Sequence, residues 1–218
     1  MKAGHVFIEE DSRSELARDL ATEVASVLRI ALAQKSKASL AVPGGTTPGE
    51  FLTILGDADL DWSRVAVTLT DERQLAPDHP RSNRRLLNET LFAGRATAAR
   101  YLALDDPVLH DALPLDAAVL GMGTDMHTAS LFSGADRLAE ALAEDAPPSV
   151  ALTAPGAPEA RVTLTAQILM RARHRFLLIH GPEKRSAWTR AMAASDLTAA
   201  PVRVILNTQA PARVFWAP

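Results

Sequence analysis

Gly121-Met122-Gly123-Thr124-Asp125-Met126-His127-Thr128-Ala129-Ser130-Leu131-Phe132-Ser133-Gly134 is the stretch that decides the architecture of this chain. An apolar run, Ala117 to Leu120, drives into it, and glycines, an acid, a histidine and a cluster of hydroxyls follow. That order predicts a buried strand whose carboxyl end opens into a polar turn. In open α/β sheets, ligands sit at such carboxyl ends. His127 is the candidate for chemistry there, acting on a small phosphorylated molecule.

Upstream, Ser39 to Val42 reads as a second buried strand, followed at once by Pro43-Gly44-Gly45-Thr46-Thr47-Pro48. Two glycines let the backbone turn tightly and approach a ligand. Thr47 is placed as the N-cap and Pro48 as the first residue of a helix running to about Leu55. Strand, glycine turn and helix start together form a cradle of N–H groups suited to an anion. Taken alone, a well-capped turn with no ligand explains the same residues. Val65 to Thr70 is a third strand, rich in β-branched residues, and it ends in Asp71-Glu72-Arg73. Solvated charge is the ordinary reading of such an end. If the extended geometry persists, Asp71 and Arg73 share a face.

The remaining chain alternates strands with helices. Val6 to Ile8 is a short strand, and Ser12-Arg13-Ser14-Glu15 has capping-box spacing before an apolar stripe of Leu16, Leu20, Val24, Val27, Leu28 and Ala31. Ser82 or Asn83 caps a helix, and Arg137 to Glu144 forms another. Val150 to Leu152 is strand-like, Arg161 to Thr165 is a strand and Ala166 to Met170 a short helix. Phe176 to His180 is a buried strand, and Gly181-Pro182 launches a helix through Lys184 and Trp188. Val202 to Leu206 and Val214 to Trp216 are placed as closing strands. The alternation implies an α/β fold with a mostly parallel sheet covered on both faces.

The chain has 218 residues, enough for one large domain or two small ones. With no internal repeat and no interdomain linker, a single domain over residues 1–218 is the simplest organisation. Hydrophobic residues make up 47% and charged residues 22%, as in ordinary globular proteins. A formal net charge of -3 points to neither nucleic acid nor an anionic membrane as partner. There is no cysteine, so disulfides, thiolate metal sites and a cysteine nucleophile are excluded. No HExxH or clustered-ligand spacing indicates a metal. The apolar runs are too short to span a bilayer and no signal-peptide pattern opens the chain, so a soluble cytoplasmic protein is expected.

Together, Gly44-Gly45-Thr46-Thr47-Pro48, Asp71-Glu72-Arg73 with Asp78-His79 and Ser82-Asn83, the Gly121 to Phe132 stretch, and Gly181-Pro182-Glu183-Lys184 resemble the 6-phosphogluconolactonase family. The third segment is the specific one. Met126 stands where the family usually has glycine, Pro43 replaces a frequent serine, and Gln74-Leu75 replace an aromatic-valine pair. The resemblance implies a three-layer α/β/α Rossmann-like domain that hydrolyses 6-phospho-D-glucono-1,5-lactone to 6-phosphogluconate in the oxidative pentose phosphate pathway. It implies no metal or cofactor, a small sugar-phosphate lactone as partner, and a monomer or weak homodimer.

Within that resemblance neutral His127 suits the role of general base for water. Asp125 holds the imidazole tautomer, binds a sugar hydroxyl, or simply makes the turn. Asp71 is a candidate for substrate hydroxyls. The phosphate would meet the N–H groups of Gly44, Gly45, Thr46 and Thr47, with Arg73 and Lys184 as cations. Ser130 as nucleophile is disfavoured, because no Gly-x-Ser-x-Gly elbow surrounds it. His5, His110 and His174 are assigned to structure or exposure, His79 to loop ordering, and His180 chiefly to structure. Glucosamine-6-phosphate deaminases are similar, but there an acidic residue that helps open the sugar ring lies five positions after the histidine. Here that position is Phe132, which cannot shuttle a proton. A sugar-phosphate sensor without turnover is the third reading.

Overall fold

The computed structural model describes residues 4–206 and 210–218. Strand β1 (His5–Glu9) leads to helix α1 (Arg13–Gln34), then β2 (Ala38–Val42) and α2 (Gly49–Gly56). Next come β3 (Val65–Leu69), β4 (Asp71–Arg73), α3 (Asn83–Glu89) and β5 (Arg100–Tyr101). The chain continues through β6 (Ala117–Leu120), α4 (Leu138–Leu142), β7 (Ser149–Leu152), β8 (Arg161–Leu164) and α5 (Ala166–Arg171). It closes with β9 (His174–His180), α6 (Gly181–Ala193) and β10 (Ala212–Ala217).

Seven strands form one sheet in the order β1-β10-β9-β6-β2-β3-β5, and every pairing in it is parallel. Strand side chains alternate between faces, so adjacent residues serve different cores. On β6, Ala117 and Val119 join one core with α1 and α2, while Ala118 and Leu120 join the other with α5 and α6. Both faces being covered explains why these strands read as continuous apolar runs. Helix α1 starts as its sequence indicates: Ser12 Oγ accepts from Glu15 N at 3.2 Å. The Glu15 carboxylate takes the Ser12 hydroxyl at 2.7 Å, so the box closes through the two side chains. All six apolar stripe residues of that helix are buried.

Several boundaries differ from expectation. Val202 to Leu206 is not a strand but part of a 3-10 helix, Pro201–Leu206, buried against α5 and α6. Its β-branched run has no place in a sheet whose neighbouring positions β10 and β9 already fill, so tertiary packing overrides propensity. Helix α2 begins one residue later than expected: Pro48 is the cap, and the Thr47 hydroxyl makes no capping bond. The Arg137 to Glu144 helix is shorter, Leu138–Leu142. The chain after Thr70 leaves the main sheet, and β4 pairs with β8 and β8 with β7 in a separate antiparallel sheet. Among the described residues no helix is long and apolar enough to cross a membrane.

At the amino-terminal end of the sheet, buried Asp116 stitches β2 to β6. Its carboxylate accepts from Ser39 N at 2.8 Å and lies 2.8 Å from Lys35 Nζ, with Arg173 Nε at 3.7 Å. Asp116→Ala leaves that N–H without its partner inside the protein. Urea unfolding should show a loss of about 1–3 kcal/mol; an unchanged midpoint would mean that the carboxylate does not hold the strands.

Candidate active site

The chain leaves β2 toward β3 on one side of the sheet, whereas β6 lies on β2's other side and leads toward β9. Order reverses between these two strands, and a crevice must open beyond their carboxyl ends. A cavity of about 580 Å³ lies there. Four neighbouring strand ends supply it: Lys184 follows β9, His127 follows β6, Gly44 to Thr47 follow β2, and Asp71 and Arg73 follow β3. Every site residue picked out in the sequence lines this one cavity: Gly44, Gly45, Thr46, Thr47, Asp71, Arg73, Asp125, His127 and Lys184.

His127 is held at one nitrogen. Its Nδ1 lies 2.5 Å from Asp125 Oδ1, which also accepts from His127 N at 3.3 Å. An ionised carboxylate only accepts, so Nδ1 carries the hydrogen and Nε2 is the basic nitrogen of the neutral ring. Asp125 therefore makes the turn and fixes the tautomer together. A Cβ on Gly123 would collide with both partners, the Asp125 carboxylate and the His127 ring. The Phe132 ring lies on the imidazole, centroids 4.1 Å apart and planes tilted by 31°.

Met126 adopts φ 69°, the left-handed region in which glycine is usual. A side chain there costs about 1–2 kcal/mol. The loop keeps this conformation because it is tied down: Met126 N donates to Gly123 O at 3.0 Å, and Met126 O accepts from Val202 N at 3.0 Å. Its side chain packs against the core on the α5 and α6 face. Arg190 of α6 adds a clamp, donating to Thr124 O at 2.8 Å.

Asp71 is buried, with its carboxylate facing protein donors. Ser130 Oγ donates to its Oδ2 at 2.6 Å, and Thr70 Oγ1 to Oδ1 at 3.3 Å. Ser130 is fully buried and gives its hydrogen to Asp71, not to His127, so it is no nucleophile. Arg161 Nη1 stands 3.7 Å from Asp71 Oδ2. The small sheet sets this up, pairing Asp71 with Thr163 and Arg73 with Arg161 across β4 and β8. Asp71 and Arg73 do share a face, while Glu72 points away and binds the N–H groups of Asn83 and Arg84 at 2.8 and 2.7 Å. An acid there suits the positive end of α3. Asn83 is the wedge: its amide donates to Asp71 O at 2.8 Å and accepts from Arg73 Nη1 at 2.9 Å. A Cβ on Gly44 would occupy the Asn83 side chain's place.

The Gly44–Thr47 turn supplies unused donors. Among the described residues no protein acceptor takes the N–H of Gly44, Gly45, Thr46 or Thr47. Gly45 has φ 88°, which turns the backbone into the cavity rim. Lys184 Nζ lies 3.4 Å from Thr47 Oγ1, and no acid pairs with it among the described residues. Burial lowers its pKa from the ordinary lysine value.

Other candidates fall away. His79 Nδ1 accepts from Arg81 N at 3.1 Å, ordering its loop, and His5 packs edge-on against Trp188. His180 does not line the cavity; among the described residues its buried Nε2 has no partner, and burial lowers its pKa. Thr128 Oγ1 donates to Gly121 O at 2.8 Å. Arg161 was not singled out by its sequence context, because an arginine heading a strand carries no local signal. Its cavity position follows from β8 pairing with β4, a long-range fact. The stacking role of Phe132 was equally hidden, although its position was marked.

The sequence profile of the family described as "Glucosamine-6-phosphate isomerases/6-phosphogluconolactonase" matches residues 11–216. A 6-phosphogluconolactonase of Rhizobium meliloti (strain 1021) is 40% identical over 98% of each chain. One of Pseudomonas aeruginosa is 39% identical, covering 95% of this chain and 92% of the relative. The crystal structure of a 6-phosphogluconolactonase from Shewanella baltica OS155 superposes with a TM-score of 0.93, at 34% identity and full coverage of both chains.

The Gly123 geometry is testable without any substrate. Gly123→Ala should break the Asp125–His127 contact while the melting temperature falls only slightly. The His127 ring signals in NMR report it, and unchanged imidazole shifts would show that the close approach is dispensable.

Proposed function

The chain belongs to the glucosamine-6-phosphate isomerase/6-phosphogluconolactonase family, and we infer that it hydrolyses 6-phospho-D-glucono-1,5-lactone to 6-phosphogluconate by His127-assisted attack of water. One observation carries the mechanism. A histidine with its tautomer fixed by Asp125 shares a cavity with four N–H groups that no acceptor takes among the described residues, and with a lysine that no acid pairs there. The first can activate water; the others fit a phosphate dianion.

In the reaction, neutral His127 Nε2 takes a proton from water as the water oxygen bonds to C1. The carbonyl becomes an oxyanion. Its collapse breaks the bond from C1 to the ring oxygen, which receives the proton from the imidazolium and becomes the C5 hydroxyl. The new carboxylic acid then loses its proton to solvent. Asp125 stabilises the imidazolium between the two transfers, and Phe132 holds the ring plane. A lactone is already a reactive ester, so positioned base catalysis, typically about 10²–10⁴-fold, suffices without a covalent intermediate. Buried Ser130, engaged with Asp71, fits that economy.

The Gly44–Thr47 turn and Lys184 hold the phosphate. Asp71 orients its neighbours and has lone pairs left for a sugar hydroxyl. The deaminase reading lacks its ring-opening acid, because Phe132 occupies that position against the imidazole. The lactonase reading places the enzyme in the cytoplasm, as a monomer or weak homodimer with no nucleic-acid partner.

His127→Ala should lower kcat by about 10²–10⁴-fold with folding intact. Turnover near that of the native enzyme, after the spontaneous rate is subtracted, would remove its role as base. Lys184→Ala should raise KM for the phosphorylated lactone by about 10- to 100-fold, the worth of a charged hydrogen bond, and leave plain gluconolactone unaffected. Equal effects on both would separate Lys184 from the phosphate.

Burial moves Lys184 below the ordinary lysine range, so the free enzyme loses this cation earlier as pH rises. Affinity for 6-phosphogluconate, measured by calorimetry, should therefore weaken on the alkaline side before an ordinary lysine would titrate. Lys184→Arg should flatten that limb; a limb unchanged by this substitution would assign it elsewhere.

A further inference from the structure

We propose that Arg161, with Arg73 beside it, forms a subsite for the negative charge that hydrolysis creates at C1: first the oxyanion, then the product carboxylate. This rests on the lactonase reading and assigns Arg161 to the reacting end of the substrate, leaving phosphate to Lys184 and the Gly44–Thr47 turn; Arg73, bonded to the Asn83 amide beside Gly44, borders both.

The first observation is a like-charge pair built into the fold. Arg73 and Arg161 are direct cross-strand partners in the antiparallel β4–β8 ladder, and both line the cavity. Directly opposed side chains share a face, and like charges there destabilise a sheet. Asp71 supplies one negative charge beside them, at 3.7 Å from Arg161. Arg73 finds only neutral acceptors, the Asn83 amide oxygen and Arg81 O. Asp71 is the strongest attractive charge on Arg161, with weaker ones from Glu159 and Glu72, while Arg73 opposes it.

The second observation concerns Arg161 itself. It is 9% exposed, yet among the described residues its guanidinium makes no hydrogen bond, and its Nε is buried without a partner. The Asp71 contact is longer than a hydrogen bond. Burying a guanidinium this way is unfavourable unless something completes its donors. Arginine's planar fork matches a carboxylate.

The third is placement. The Phe132 ring contacts both ends of the chemistry, lying 4.1 Å from the His127 ring and 5.8 Å from the Arg161 guanidinium carbon. On the proposed division, base and cation flank Phe132 and border the same reacting carbon. The substrate brings one anion, its phosphate, and C1 is neutral until water attacks. A cation there favours the transition state over the bound lactone, which is what raises kcat.

The test uses the full chain with Arg161→Met and Arg161→Lys, and reads turnover and binding separately. In Arg161→Met, kcat should fall by about 10²–10³-fold, as for loss of an oxyanion donor, with KM for the lactone little changed. Calorimetry compares 6-phosphogluconate with D-glucitol 6-phosphate, which carries an alcohol at C1. The native chain should prefer the carboxylate by about tenfold or more. Arg161→Met should abolish that preference and leave glucitol phosphate affinity unchanged. Arg161→Lys keeps a cation beside Asp71 and loses the fork, so it should retain part of the preference. It carries the test if the methionine variant fails to fold. Equal weakening of both ligands, or a kept preference with native kcat, overturns the proposal. Because binding needs no turnover, a native chain that binds both ligands and hydrolyses nothing would fail the activity and not the subsite.

Discussion

Two parallel strands in the middle of the sheet, β2 and β6, run side by side with their carboxyl ends pointing the same way, and the chain departs from them in opposite directions. Loops that follow them cannot cover the gap between them, so a crevice is forced by topology before any side chain is chosen. Everything chemical hangs from the four strand ends around that gap. Asp116 ties the same two strands at the far end, below the crevice. The sheet supplies precision at the site because its central strands are buried on both faces and cannot shift register without exposing one core or the other.

Within the crevice, polar groups restrain one another in chains. Glu72 organises the start of α3, which presents Asn83. Asn83 in turn occupies the space left by Gly44 and anchors Arg73. On the other side Gly123 gives room to the Asp125–His127 pair, and Phe132 covers the imidazole. Gly44 and Gly123 each leave room for a functional side chain. Left-handed Met126 fits the same logic: its strain is borne because Val202 and Gly123 fix the loop from both sides. A conformation that glycine would adopt freely is here imposed by packing.

Much of this was legible in the sequence. The GGTT turn, the Asp71-Glu72-Arg73 end, the histidine loop and Lys184 each follow an apolar run, and a parallel α/β sheet gathers such ends. Local signals therefore sufficed for the main sheet and for nine cavity residues. They failed where long-range pairing decides. Val202 to Leu206 has the composition of a strand and folds as a 3-10 helix, because β9 and β10 pair directly and leave it no place in the sheet. Thr47 has the chemistry of a cap and faces Lys184 instead. Arg161 became a site residue through the pairing of β8 with β4, across the 88 positions that separate it from Arg73.

That pairing bears on how the site divides its charge. Lys184 follows β9 and reaches over to Thr47 after β2, whereas Arg161 enters from the small sheet that carries Asp71 and Arg73. On the proposed division, a sugar phosphate in the crevice meets Lys184 at its dianion and the Arg161 guanidinium at C1. An enzyme that only had to bind its substrate would gain nothing from the second positive pole, since the lactone carbonyl is neutral. The second pole has a use only if charge appears there during the reaction. The like-charge pair on the small sheet is then offset by Asp71, Glu159 and Glu72, and on the proposed division further offset when C1 becomes anionic.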